Sequence, residues 1–176
     1  GDLNEFGAQL GEFVARFEHT QDLPYLPDVA RMEWLAHRAY YARDAVAPDP
    51  VRFASALERD DGALRLGFAP ACALLASPWP LTRIWEVHQE DYQGEFSVDL
   101  EAGPERILIY RPQFRVLVGT LSTGSYRFLE RCRAGATVGA ALDAALVAEP
   151  GFDLGAGLAV WLGNGVIDEA TEKENP

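Results

Sequence analysis

The sequence predicts an α+β fold, with N-terminal helices packed on a small mixed or antiparallel sheet and a winged-helix-like C-terminal half. Three observations carry this expectation. Apolar residues recur at helical spacing as far as Asp60, the period shortens to two from Ala63, and helical spacing returns after Leu121.

Phe6, Leu10, Phe13, Val14 and Phe17 form the first apolar stripe, which Asp22 and two prolines interrupt. A second helix is expected over 27–45, with Pro27 in its first turn and Asp28 beside it. Asp49 is placed to cap a third, in which Pro50 fills the first turn, Val51, Phe53, Ala54 and Leu57 make the stripe, and Asp60-Asp61-Gly62 ends it. Leu64, Leu66 and Phe68 then alternate with smaller or charged residues, as an extended chain does. A short helix over 80–90 carries Ile84, Trp85 and His88. Strands are expected at 95–100, 105–111 and 114–121, the last two forming a hairpin across Pro112-Gln113. Helices at 123–133, 137–148 and 152–163 follow, with Gly135 between the first two and Asn164-Gly165 closing the third. The organisation is thus a helical segment over 1–62, an α+β winged-helix-like domain over 63–167 and a frayed acidic tail over 168–176. Strands followed by three helices, two of them joined by a Gly-containing turn, suggest the winged-helix layout.

With 176 residues, 48% hydrophobic and 24% charged, the chain can bury a substantial core. Its net charge of −12 opposes any role that rests on broad attraction to phosphate or anionic lipid. The most lipid-like stretch, from Leu66 to Leu81, is broken by Pro70, Pro78 and Pro80 and is short of the roughly 20 apolar residues of a membrane span. Cys72 and Cys132 read as buried, reduced thiols of a cytoplasmic protein. Gly1 reads as a tag remnant or trimmed end.

Catalytic patterns are missing. His19, His37 and His88 stand singly, without metal-ligand spacing, and Glu33 with His37 suits an intrahelical pair. Arg131 and Arg133 flank Cys132, but no histidine lies near it in sequence. Gly151, Gly155 and Gly157 lack the partners of a nucleotide loop, and the serine in Gly119-Thr-Leu-Ser-Thr-Gly124 is misplaced for a nucleophile elbow. Ser122 or Thr123 is placed instead to cap the next helix. Asp60-Asp61 reads as a solvated turn. No catalytic residue, metal ligand or cofactor is assigned.

A winged helix raises the prospect of DNA, and charge decides against it. No Arg or Lys occurs between Arg133 and Lys173, so two helices suited to a groove carry only acids. A transcriptional regulator is therefore the alternative reading. A neutral edge strand can instead take up an extended peptide. The stretch from Phe114 to Leu121 supplies such an edge, and Leu158, Trp161 and Leu162 supply a neighbouring helical wall. On the second helix, Asp28 with Arg31 has ion-pair spacing and Trp34 with Arg38 has cation-π spacing. Exposed aromatics among Trp34, Tyr40 and Tyr41 would mark a partner surface.

The run Leu-Pro-Tyr-Leu-Pro-Asp-Val-Ala-Arg-Met-Glu-Trp-Leu-Ala-His-Arg-Ala-Tyr-Tyr-Ala-Arg-Asp-Ala over 23–45 resembles the signature helix of the HvfC/BufC family of peptide-modification partner proteins, long described as carrying a DNA-binding domain. Ser77-Pro-Trp-Pro80, Ile84-Trp-Glu86, Ile109-Tyr-Arg-Pro112, the segment 121–129 and Trp161-Leu-Gly-Asn-Gly-Val-Ile167 fit the same pattern. The resemblance implies a non-catalytic subunit without a cofactor of its own. It would bind the leader of a ribosomally made precursor peptide and present it to a multinuclear non-haem iron enzyme that modifies cysteines. It also implies a further helical domain ahead of Leu3. The C-terminal half resembles a PqqD-like recognition domain, which would place leader along Phe114 to Gly119, with Phe114, Val116 and Val118 as the contact residues, against Leu158 and Trp161. Enzyme contacts are expected at Trp34, Arg38 and Tyr41.

Overall fold

The computed structural model describes residues 7–44, 48–58 and 63–172. Their elements run α1 (Leu10–Arg16), α2 (Leu26–Tyr41), α3 (Pro50–Glu58), β1 (Leu64–Phe68), β2 (Ala73–Ser77), α4 (Leu81–Val87), β3 (Glu105–Tyr110), β4 (Leu117–Thr120), α5 (Thr123–Arg133), α6 (Val138–Ala148), α7 (Leu154–Gly163) and β5 (Ile167–Glu172). This is an α+β arrangement. The expected succession of strands and three helices is present, although order alone does not make a winged helix. Phe6, Asp60-Asp61-Gly62 and the tail beyond Glu172 lie outside the described residues.

Local chemistry sets several helix boundaries. The Asp49 carboxylate accepts the Val51 N–H at 2.9 Å and starts α3. Ser122 accepts from Ser125 N–H at α5, Thr137 from Ala140 N–H at α6, and Asp153 from Ala156 N–H at α7. Gly135, at φ 83°, turns the chain out of α5. The α2 helix keeps its expected Asp28–Arg31 ion pair, at 2.9 Å.

Strands β2, β3 and β4 form an antiparallel sheet in that order, and β1 pairs with β5 in a separate antiparallel ribbon. Opposed residues share a face, so the register sorts the side chains. Ala73, Ile109 and Val118 stand together, as do Leu74, Leu108 and Gly119. The first face meets α2 and α4 in a core that includes Met32, Ala36, Leu81, Ile84, Ile107 and Ile109. The second contributes to a larger core with Leu64, Leu66, Phe128, Leu129, Ala141, Trp161 and Ile167. Of the N-terminal helices, α2 is packed on the sheet, α1 lies on α2, and α3 lies against β5.

Three segments depart from expectation. The strand expected at 114–121 is confined to Leu117–Thr120, because residues 112–114 form a turn of 3-10 helix in which Gln113 and Phe114 take φ values of 48° and 68°. Residues 95–100 alternate in sequence but form no strand. Arg83 donates to the carbonyls of Glu95 and Ser97, and Tyr92 Oη donates to that of Glu95, so side chains occupy acceptors a ladder would need. Val98 and Leu100 still pack against the α2–α4 core. The expected acidic tail is ordered as β5 as far as Glu172, because β1 offers it a ladder from Leu64 to Phe68.

Candidate peptide-binding groove

β4 is an edge strand. Leu121 N–H donates to Arg106 C=O at 2.7 Å, continuing a register in which Gly119 faces Leu108 and Leu117 faces Tyr110. By the antiparallel alternation, residues 117, 119 and 121 turn their N–H and C=O groups toward β3, whereas Val116, Val118 and Thr120 turn theirs outward. Among the described residues, no backbone group pairs with that outer edge.

Beside the edge, the C-terminal half of α7 makes a wall. A recess of about 110 Å³ lies between Gly119, Thr120 and Leu121 on one side and Val160, Trp161 and Asn164 on the other. A larger hollow of about 720 Å³ borders Phe114, Arg115 and Leu117, with Gly163, Asn164 and Gly165 opposite. A Cβ added at Gly119 would meet nothing within 4 Å. An isolated glycine within a strand is a position at which another backbone can approach.

The residues expected to bind peptide are divided by this geometry. Phe114 is 74% exposed beside the groove. Val116 and Val118 contribute outward backbone, but their side chains pack toward α2 and α4 on the opposite face. The side-chain floor belongs instead to Leu117 and Gly119, because a strand reverses face at every residue. Trp161 is 2% exposed, stacked on Phe128 at 5.5 Å with Phe152 alongside, and Leu158 is likewise buried. They are core residues of α7. Its accessible groove side is Val160, 58% exposed, with Asn164. Leu117 and Gly119 lie within the stretch expected to receive peptide but were not singled out, and Val160 and Asn164 were not named as part of the wall; strand parity and the intrastrand glycine were the available signals.

The turn leading into β4 is held firmly. Arg111 donates from Nε to Ala39 C=O at 2.7 Å, from Nη2 to Ala42 C=O at 2.6 Å and from Nη1 to Asp44 at 3.0 Å. Its side chain is 5% exposed, and it fastens the end of α2 to the β3–β4 turn. Gln113 and Phe114 then take φ values of 48° and 68°, a left-handed conformation unusual for bulky residues. The turn thereby presents the Phe114 ring to solvent, with the Arg111 guanidinium 5.9 Å from its centre.

The expected partner surface on α2 forms an aromatic ladder. Trp34 stacks on His37 at 5.4 Å, His37 meets Tyr41 at 4.8 Å, and Tyr41 meets Tyr40 at 4.9 Å. Tyr40 and Tyr41 are exposed. Trp34 thus packs on His37, where a contact to Arg38 was expected, and His37 joins the ladder in place of a Glu33 pair. Arg38 is exposed and borders a separate cavity of about 670 Å³ with Arg65, Arg133 and both cysteines.

That cavity offers no activated thiol. Burial pushes Cys72 up to about 11, with Arg133 partly opposing the shift, and burial alone pushes Cys132 up to about 12. Both remain thiols at neutral pH. Among the described residues, no group of three or more His, Cys, Asp or Glu side chains is placed to hold a metal ion. No helix among them is long and apolar enough to cross a membrane.

Neither a family model nor a curated protein matches the chain, so the likeness to the HvfC/BufC and PqqD-like families rests on the quoted residues alone.

Proposed function

We propose that this chain is a non-catalytic accessory subunit that binds the leader of a ribosomally made precursor peptide. It presents that peptide to a multinuclear non-haem iron enzyme in the cytoplasm. The observation that carries the reading is the unpaired outer edge of β4 running beside an uncharged helix, α7. Peptide addition to such an edge draws affinity from main-chain hydrogen bonds and selectivity from flanking side chains. Val116, Val118 and Thr120 supply the backbone groups; Leu117, Gly119, Val160 and Asn164 supply the floor and wall. The α2 ladder of Trp34, His37 and Tyr41, with Arg38 nearby, is the proposed docking surface for the enzyme.

Gly119→Val is the discriminating variant. It fills the groove from a position with free space, and β-branched residues suit strands, so the fold is retained. The tagged chain, expressed in its native host, is expected to co-purify with an iron protein and a small cysteine-containing peptide, and Gly119→Val to lose the peptide. Recovery of specific DNA fragments without peptide would overturn the proposal in favour of a transcriptional regulator.

A further inference from the structure

Building on that groove, we infer that Arg115 selects peptides carrying a carboxylate immediately C-terminal to the segment paired with β4. The floor strand and wall helix are neutral, with no charged residue from Val116 to Tyr126 or from Leu154 to Ile167, and Arg106 stands opposite Leu121 at the far end. At its β4-start end, the larger hollow is bordered by Arg111, Asp44 and Arg115. Arg111 and Asp44 neutralise each other at 3.0 Å. Arg115 is exposed and makes no side-chain hydrogen bond or ion pair with any described residue. The uncompensated charge bordering the groove is therefore positive, in a chain whose net charge is −12.

Direction follows from the sheet. Both existing pairings are antiparallel, and antiparallel pairing is slightly stronger per residue. A peptide added antiparallel to β4 passes Thr120 first and Val118 next, then leaves past Val116 toward Arg115 and Phe114. Its C-terminal flank thus arrives at the free guanidinium. Gln113 and Phe114 hold the turn outward at this point, and strained backbone of this sort is found at ligand clamps. A carboxylate there gains a charge-assisted, two-pronged partner.

Three synthetic peptides test this, sharing one core of alternating Val and Thr. One ends in Glu-Glu, one ends in Lys-Lys, and one begins with Glu-Glu. Fluorescence anisotropy is expected to show the first binding about tenfold more tightly than the second, the scale of one charge-assisted hydrogen bond. The third, whose acids arrive near Arg106, should gain less than the first, and Arg115→Glu should reverse the order of the first two. Equal affinities that are all lost in Gly119→Val would overturn the role of Arg115 while leaving the groove intact. Preference for the third peptide would overturn the antiparallel direction. Absence of binding by all three, or binding unaffected by Gly119→Val, would remove the groove and this inference together.

Discussion

Two stacks of aromatic rings occur in this molecule, and they differ in what lies around them. Phe128, Phe152 and Trp161 stack in the larger core, where Trp161 is 2% exposed and the ring of Phe128 is wholly enclosed. Trp34, His37, Tyr41 and Tyr40 stack along the outer face of α2, where Tyr41 is 64% exposed. In sequence the second is a set of rings at helical spacing on one helix, whereas the first gathers rings from α5, from the turn before α7 and from α7 itself. Periodicity reports that rings share a helix face; only tertiary packing decides whether another element covers it. The first stack holds the fold; in the second, Tyr40 and Tyr41 are exposed, while Trp34 is half-buried with Gly7 packed against its ring.

Mutation should separate the two sharply. Trp161→Ala is expected to destabilise the chain by about 3–5 kcal/mol, since it empties a buried aromatic site, and chemical denaturation will measure it. Next comes Arg111→Ala, which strips partners from the Ala39 and Ala42 carbonyls at the end of α2. A loss of about 3 kcal/mol is expected, within the range for removing hydrogen bonds to a charged group. Tyr41→Ala should change stability by no more than about 0.5 kcal/mol while weakening enzyme capture. A large loss of stability in Tyr41→Ala, or a negligible one in Trp161→Ala, would reverse the comparison.

The smallest effect concerns pH. The Ser122 hydroxyl and the Gly124 N–H hold the Glu149 carboxyl below its ordinary value of 4.5. The stability this contact adds is present above that ordinary value and is lost as pH falls through the lowered folded value. Glu149→Gln should therefore flatten the acid limb of a Tm-against-pH curve and leave its slope near neutrality unchanged. An unchanged acid limb would show that the contact adds nothing.

What could be read in advance was local. Asp49, Ser122 and Gly135 end or begin helices through bonds within a few residues, and their chemistry is visible in the neighbouring letters. The segment 95–100 was misleading because its alternation is real, while the groups that take its carbonyls, on Arg83 and Tyr92, lie outside it. Strand β5 was missed for the converse reason. Asp168, Glu169 and Ala170 are poor company for an isolated strand, and the ladder comes from β1, about a hundred residues earlier. At the candidate groove, the side chains named from sequence lie on the far sides of β4 and α7. Val116 and Val118 face α2 and α4, and Trp161 faces Phe128. The pairing of β4 with β3 fixed that parity, which apolar character alone does not carry.

The most direct test of the central claim is amide hydrogen exchange along β4, measured with and without the peptide that ends in Glu-Glu. Addition of a strand should slow exchange at Val118 and Thr120, whose N–H groups point outward, and leave Leu117 and Gly119, already bonded to β3, nearly unchanged. If peptide binds and the Val118 and Thr120 amides exchange as fast as before, β4 is not where polypeptide is received.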